Sequence, residues 1–214
     1  MLHNEMIYQI ISIVLAYLLG AIPTSVWIGK MFYNVDIRNQ GSGNAGATNT
    51  FRILGYKAGI PVLIFDVFKG WAAVNLTYLY SIYPTDSQDF INLRLYMGFA
   101  AVFGHIFPVY VGFRGGKGVA TLIGIGLALL PYPTLCSIAF FIPVFLIFRY
   151  VSLGSILSGI SFVFFTAFVF PEKELQYLIF AITISVLLII THHENIQRLL
   201  KGEEKKMSFF KRKK

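Results

Sequence analysis

Seven apolar stretches, parted by short segments of glycine, proline and charge, leave this chain few solvents in which it can fold. They run over approximately residues 7–29, 59–80, 94–111, 118–132, 134–149, 152–170 and 175–191. Several approach the roughly 17–25 residues that a helix needs to cross ~30 Å of hydrocarbon. The expected fold class is an all-α integral membrane protein of seven transmembrane helices, some short or broken. The fourth and fifth stretches are short and divided by Pro131-Tyr132-Pro133. Each proline removes a helix donor and disfavours helix in the residue before it. A five-span arrangement, with these two as one re-entrant hairpin, is the competing topology. The first stretch follows no cationic segment and is too long for a signal-peptide core, so it reads as a retained span.

Only 13% of the 214 residues are charged, yet the formal charge is +8. The excess is juxtamembrane, which argues for lipid head groups and against nucleic acid as its partner. With the amino terminus outside, segments 30–58, 112–117, 149–151 and 192–214 face inward and hold 15 of the 18 lysines and arginines. The outer segments hold only Arg94 and Lys173, and Lys69 lies within a span. This asymmetry predicts an external amino terminus and a cytoplasmic carboxyl terminus. Residues 1–192 read as one polytopic membrane domain and 193–214 as a basic cytoplasmic tail. Cys136 is the only cysteine, so no intramolecular disulfide or cysteine metal cluster can form.

Three polar clusters fall on the inner face of this topology. The first is Gly41-Ser42-Gly43-Asn44-Ala45-Gly46-Ala47-Thr48-Asn49 with Arg52. Its Gly-x-Gly-x-x-Gly spacing imitates a dinucleotide-binding turn, but a membrane helix precedes it instead of a strand. Consecutive small residues let main-chain N–H groups turn inward as an anion nest, with donors added by Ser42, Thr48 and Asn49. Arg52 supplies a bidentate fork for phosphate or carboxylate.

The second cluster runs from Gly104-His105 through Arg114-Gly115-Gly116-Lys117-Gly118 to Thr121 and opens a helix. A helix amino terminus favours an anion through its partial charge and its N–H groups. The third is His192-His193-Glu194-Asn195 with Arg198. His192 and Asn195 are three apart, share a helical face and suit joint hydrogen bonding to a hydroxyl. Their surroundings lack a plausible metal set, so no metal is expected. Asp66 and Lys69 lie deep in a span at i, i+3 spacing, which fits a mutual ion pair.

Together these motifs resemble the bacterial acyl-phosphate:glycerol-3-phosphate acyltransferases. The matching residues are Gly41 to Asn49 with Arg52; Gly104-His105, Pro108 and Phe113 to Thr121; and His192-His193-x-Asn195-Ile196-x-Arg198 with Gly202 and Glu203. Asp66-x-x-Lys69-Gly70 and Arg149-Tyr150-x-Ser152-Leu153 also match in order. The resemblance implies transfer of an acyl group from acyl phosphate to the 1-hydroxyl of glycerol 3-phosphate. The products would be lysophosphatidic acid and phosphate, formed without a cofactor and without the His-x4-Asp pair of other glycerolipid acyltransferases.

The resemblance implies Ser42, Arg52, Lys117, His192 and Asn195 as catalytic residues. Substrate binding is implied for Gly43, Asn44, Gly46, Thr48, Asn49, His105, Gly115, Gly116, Gly118, Thr121 and Ser152. The expected partners are acyl phosphate, glycerol 3-phosphate and membrane lipids. A transporter or channel for phosphorylated solutes is the alternative from another class, since broken helices also build anion sites there. Against it stand the absence of a corresponding pattern in two halves and the placement of all three clusters on one face.

Overall fold

The computed structural model describes residues 2–80 and 82–207, and those residues are helical and irregular, without strands. Two compact units follow one another, Met1–Pro131 and Tyr132–Lys214. The first contains α1 (Leu2–Gly20), α2 (Thr24–Tyr33), α3 (Ala47–Leu54), α4 (Tyr56–Asn75), α5 (Thr77–Tyr80), α6 (Gln88–Ile106) and α7 (Val119–Leu129). The second contains α8, which runs Pro131–Phe148 across the boundary, then α9 (Val151–Phe164), α10 (Leu175–Thr191) and α11 (His193–Leu200). A π-helical turn over Phe165–Val169 extends α9.

Five of these helical stretches are long and apolar enough to cross a membrane, and six if the bent pair α10–α11 counts as one span. The expected fourth span contracts to α7, whose 11 residues reach only ~16.5 Å. It is about half the thickness of a hydrocarbon core. The expected first span is interrupted at 21–23, where Pro23 cannot donate to the helix, and resumes as α2. Residues 193–200, which open the expected tail, are helical, and residues 208–214 with their last four basic side chains lie outside the described residues.

Small residues set the packing of the first unit. α4 crosses α7 at Gly70 and Gly124. A Cβ at Gly70 would strike the Thr121 carbonyl, and one at Gly124 would strike the Val67 carbonyl and Trp71 amide. α1 crosses α6 in the same way, with Gly20 against the Ala101 backbone and Gly104 against the Tyr17 carbonyl. Lipid offers no hydrophobic drive between helices, so such backbone approach supplies the dispersion contact that holds them. At its far end α7 is capped by Arg94, whose guanidinium donates to the Ala128 carbonyl at 2.6 Å. The same guanidinium lies over Tyr78 and Phe90, 5.2 and 5.8 Å from their ring centres.

Candidate active site

In the first unit the loop before α3 is organised around Asn49, which is only 2% exposed. Its side-chain amide donates to the carbonyls of Ile37 (3.0 Å), Gln40 (3.0 Å) and Asn44 (3.1 Å). Its Oδ1 accepts the Ser42 N–H at 3.0 Å. Asn49 was expected to contact substrate, but both ends of its amide are engaged in shaping the loop. Gly41, at φ +65, is where this loop most needs glycine, because a Cβ there would hit the Asn49 oxygen and Ile53. Ser42 and Gly43 are exposed at the tip, while Thr48 and Arg52 sit half-buried one turn apart on α3.

A second device fastens the loop base. Asp36 caps a 3₁₀ turn over Ile37–Asn39 and forms a bidentate pair with Arg38, Nε–Oδ1 3.0 Å and Nη2–Oδ2 2.8 Å. Arg38 also donates to the Val111 carbonyl at 2.7 Å, and Lys30 lies 3.3 Å from Asp36. Arg38 outweighs the opposing effect of burial and, with Lys30, holds the Asp36 carboxyl well below the ordinary range. Asp36 and Arg38 were not among the residues singled out from the sequence, where a lone acid near a lone base in a loop carries no distinguishing pattern.

The first two clusters meet. The Ala45 N–H donates to the Gly115 carbonyl at 3.4 Å, and Val111 packs on the small core of Val26, Ile37 and Ala45. The second cluster differs from an open nest, because Gly115 and Gly116 spend their N–H groups on the carbonyls of Ile106 and His105, each at 3.1 Å. Lys117, half-buried, stands just before Gly118, whose φ of +85 starts α7. The first N–H groups of a helix have no partner within it, and these lie beside Lys117. Asn44 and Gly46 are half-buried in the first loop, Gly46 as the amino-terminal cap of α3. His105 and Thr121, both expected to bind substrate, are buried at 6% and 0% exposure.

In the second unit α10 and α11 meet at a 60° bend on His192. The expected straight helical face is therefore a corner: His192 caps α10 and Asn195 is the third residue of α11. The His192 Nδ1 lies 2.8 Å from the Leu188 carbonyl. A carbonyl only accepts, so in the neutral ring Nδ1 carries the proton and Nε2 is the basic nitrogen.

Asn195 donates to Glu204 at 2.6 Å, Ser152 donates to the same carboxylate at 2.7 Å, and the Arg198 Nε does so at 2.9 Å. Burial opposes ionisation of Glu204, but the bonds from Arg198, Ser152 and Asn195 outweigh it and lower its pKa. An ionised carboxylate cannot donate, so Asn195 must turn its nitrogen toward Glu204 and its oxygen away. The sequence resemblance pointed to Glu203, and nothing in two adjacent glutamates reveals which one turns inward.

The family model for glycerol-3-phosphate acyltransferase matches residues 10–202. This chain belongs to that family. The glycerol-3-phosphate acyltransferase of Macrococcus caseolyticus is 45% identical over 199 residues, covering 93% of this chain and 97% of its own. That of Fusobacterium nucleatum is 44% identical over 197 residues, covering 92% and 97%. The crystal structure of PlsY (YgiH), an integral membrane glycerol 3-phosphate acyltransferase, in its glycerol 3-phosphate form aligns with a TM-score of 0.84 at 39% identity. It covers 94% of this chain and 96% of that one. The lysophosphatidic acid form aligns at 0.80 and 37% identity, with the same coverage. The acyltransferase is thus an integral membrane enzyme of phospholipid synthesis, and the transporter alternative gives way to it.

Proposed function

We propose that the acyl donor is acyl phosphate and that the loops carrying Arg52 and Lys117 form its phosphate-handling site. The observation that supports this most is the junction of the two glycine clusters at Ala45 and Gly115, which sets both loops in one unit. Acyl phosphate is an activated mixed anhydride, so no covalent enzyme intermediate is needed. The 1-hydroxyl of glycerol 3-phosphate attacks the acyl carbon, the bond from that carbon to the bridging oxygen breaks, phosphate leaves, and the hydroxyl proton passes to a substrate phosphate oxygen or to His192.

The chain's task is to hold two mutually repelling anions together and to stabilise the charge that develops. Arg52 and Lys117 supply cations, the Ser42 hydroxyl at the exposed loop tip supplies a small donor, and the glycines beside it let a phosphate approach closely. His192 accepts the hydrogen bond of the attacking hydroxyl at Nε2, and Asn195, whose nitrogen donates to Glu204, offers its oxygen as an acceptor to the second hydroxyl of the acceptor substrate. The resemblance and the basic asymmetry support seven spans, with α7 as a short one, and a cytoplasmic site. The expected division places the polytopic domain at 1–192 and the basic tail beyond it.

The test is purified protein with glycerol 3-phosphate and palmitoyl phosphate, following phosphate release. Release that requires both substrates, with formation of lysophosphatidic acid, is the expected outcome. Phosphate release from palmitoyl phosphate alone at the same rate would replace acyl transfer with hydrolysis.

A further inference from the structure

We propose that Asp66, Lys69 and His105 are positioning residues for the loop that carries Lys117, acting on it through Gly116. The inference rests on the phosphate-binding reading of Lys117 and adds what holds that lysine in place. Asp66 and Lys69 are 2% and 4% exposed, and their charged atoms lie 2.8 Å apart. The pair is tied to the break in the first span: Lys69 donates to the Ile22 carbonyl at 2.8 Å and Thr24 donates to Asp66 at 3.2 Å. Non-helical backbone at membrane depth is tolerated where polar groups re-satisfy it, and this pair does so.

His105 connects the pair to the loop. Its Nδ1 faces Asp66 at 3.8 Å. On the opposite edge of the ring, a Cβ at Gly116 would collide with Nε2. The His105 carbonyl also receives the Gly116 N–H at 3.1 Å. Ring and backbone together therefore fix the residue that immediately precedes Lys117. There is little slack, because the cavity among Lys69, His105, Ala45 and Gly115 is about 10 Å³. That is close to the space of one water. A histidine enclosed in this way does not reach substrate; it sets the depth at which Lys117 leaves the packed wall.

A double-mutant cycle reads this directly, using Gly116→Ala, His105→Ser and the combination, with turnover, the KM for glycerol 3-phosphate and the inorganic phosphate concentration that halves activity. Melting in detergent is followed in parallel. Gly116→Ala in the wild-type background is expected to raise KM and the half-inhibiting phosphate concentration by about tenfold or more. In the His105→Ser background the collision with the ring is gone and only the milder approach to the Ala45 carbonyl at 2.9 Å remains, so the same methyl group adds less than about threefold, a coupling of the size seen between touching residues. Independent, multiplicative effects would overturn the proposal.

A second variant, Asp66→Asn with Lys69→Met, removes both charges without stranding either. It is expected to shift KM and phosphate inhibition in the same direction, and ordinary phosphate handling in it would remove the pair from the device. Lys117→Ala separates the two claims. Full activity in that variant sinks the phosphate reading itself, whereas an inactive Lys117→Ala beside an uncoupled cycle sinks only this inference.

Discussion

Replacing Asn49 with aspartate keeps its size and removes both amide hydrogens, so the carbonyls of Ile37, Gln40 and Asn44 lose their common donor. Buried groups left without partners cost ~1–3 kcal/mol each. Asn49→Asp is therefore expected to lower detergent stability by several kcal/mol and to abolish activity with it. Lys117→Ala and Arg52→Ala should instead lose nearly all turnover at unchanged melting temperature, which assay and melting together check. Retained turnover in both at saturating substrate would refute their assignment.

Glu204 gives a pH signature. Its pKa is lowered in the fold, so its contribution is present above the ordinary glutamate value of ~4.3 and is lost as pH falls through the lowered one. Glu204→Gln should flatten that acid limb in melting measured against pH. Residue types and spacing were enough to select these clusters. They could not show that Asn49 serves the loop, that His105 is enclosed or that Glu204 turns inward, because those facts are set by contacts across 5 to 52 residues of chain.

At the scale of elements, the crossing of α4 and α7 is the contact on which the second cluster depends, since α7 begins directly after Lys117 and Gly118. Gly124→Val places a branched side chain against the Val67 carbonyl and the Trp71 amide. It is expected to part the two helices, lowering both melting temperature and turnover. Gly112→Asn, at an exposed position where a Cβ meets nothing within 4 Å and asparagine tolerates the φ of +70, should not spread in this way. The division between α7 and α8 was readable from Pro131-Tyr132-Pro133, and the interruption after Ile22 carried a signal in Pro23. The bend at His192 carried none: no glycine or proline stands there, and its physical sign is the gathering of the His192 N–H, the imidazole and the Thr191 hydroxyl on the Leu188 carbonyl.

For the molecule as a whole, apolar runs made the membrane class and helical architecture legible, because hydrocarbon admits few ways to satisfy a backbone. The length of each span was less legible, since α7 is apolar throughout and still stops short. Orientation rests on the 15 inner basic residues against two outer ones. In a Cys136→Ala background, a cysteine introduced by Asn44→Cys should be labelled only from the cytoplasmic side. Purified enzyme should use palmitoyl phosphate and not palmitoyl-CoA, and robust transfer from the thioester would sink the donor assignment. Chelators should leave activity intact, and restoration of a chelated enzyme by one specific metal would refute a metal-free reaction.

Arg94 turns the usual rule of thumb for lipid-embedded chains upside down. Judged by transfer to hydrocarbon, exchanging an arginine for leucine improves a sequence, and any hydropathy plot of this one would agree. Here the guanidinium closes the carbonyl end of the short apolar helix α7. Exchanging it leaves the half-buried Ala128 carbonyl without its donor, so the more oil-soluble polypeptide becomes the less durable protein.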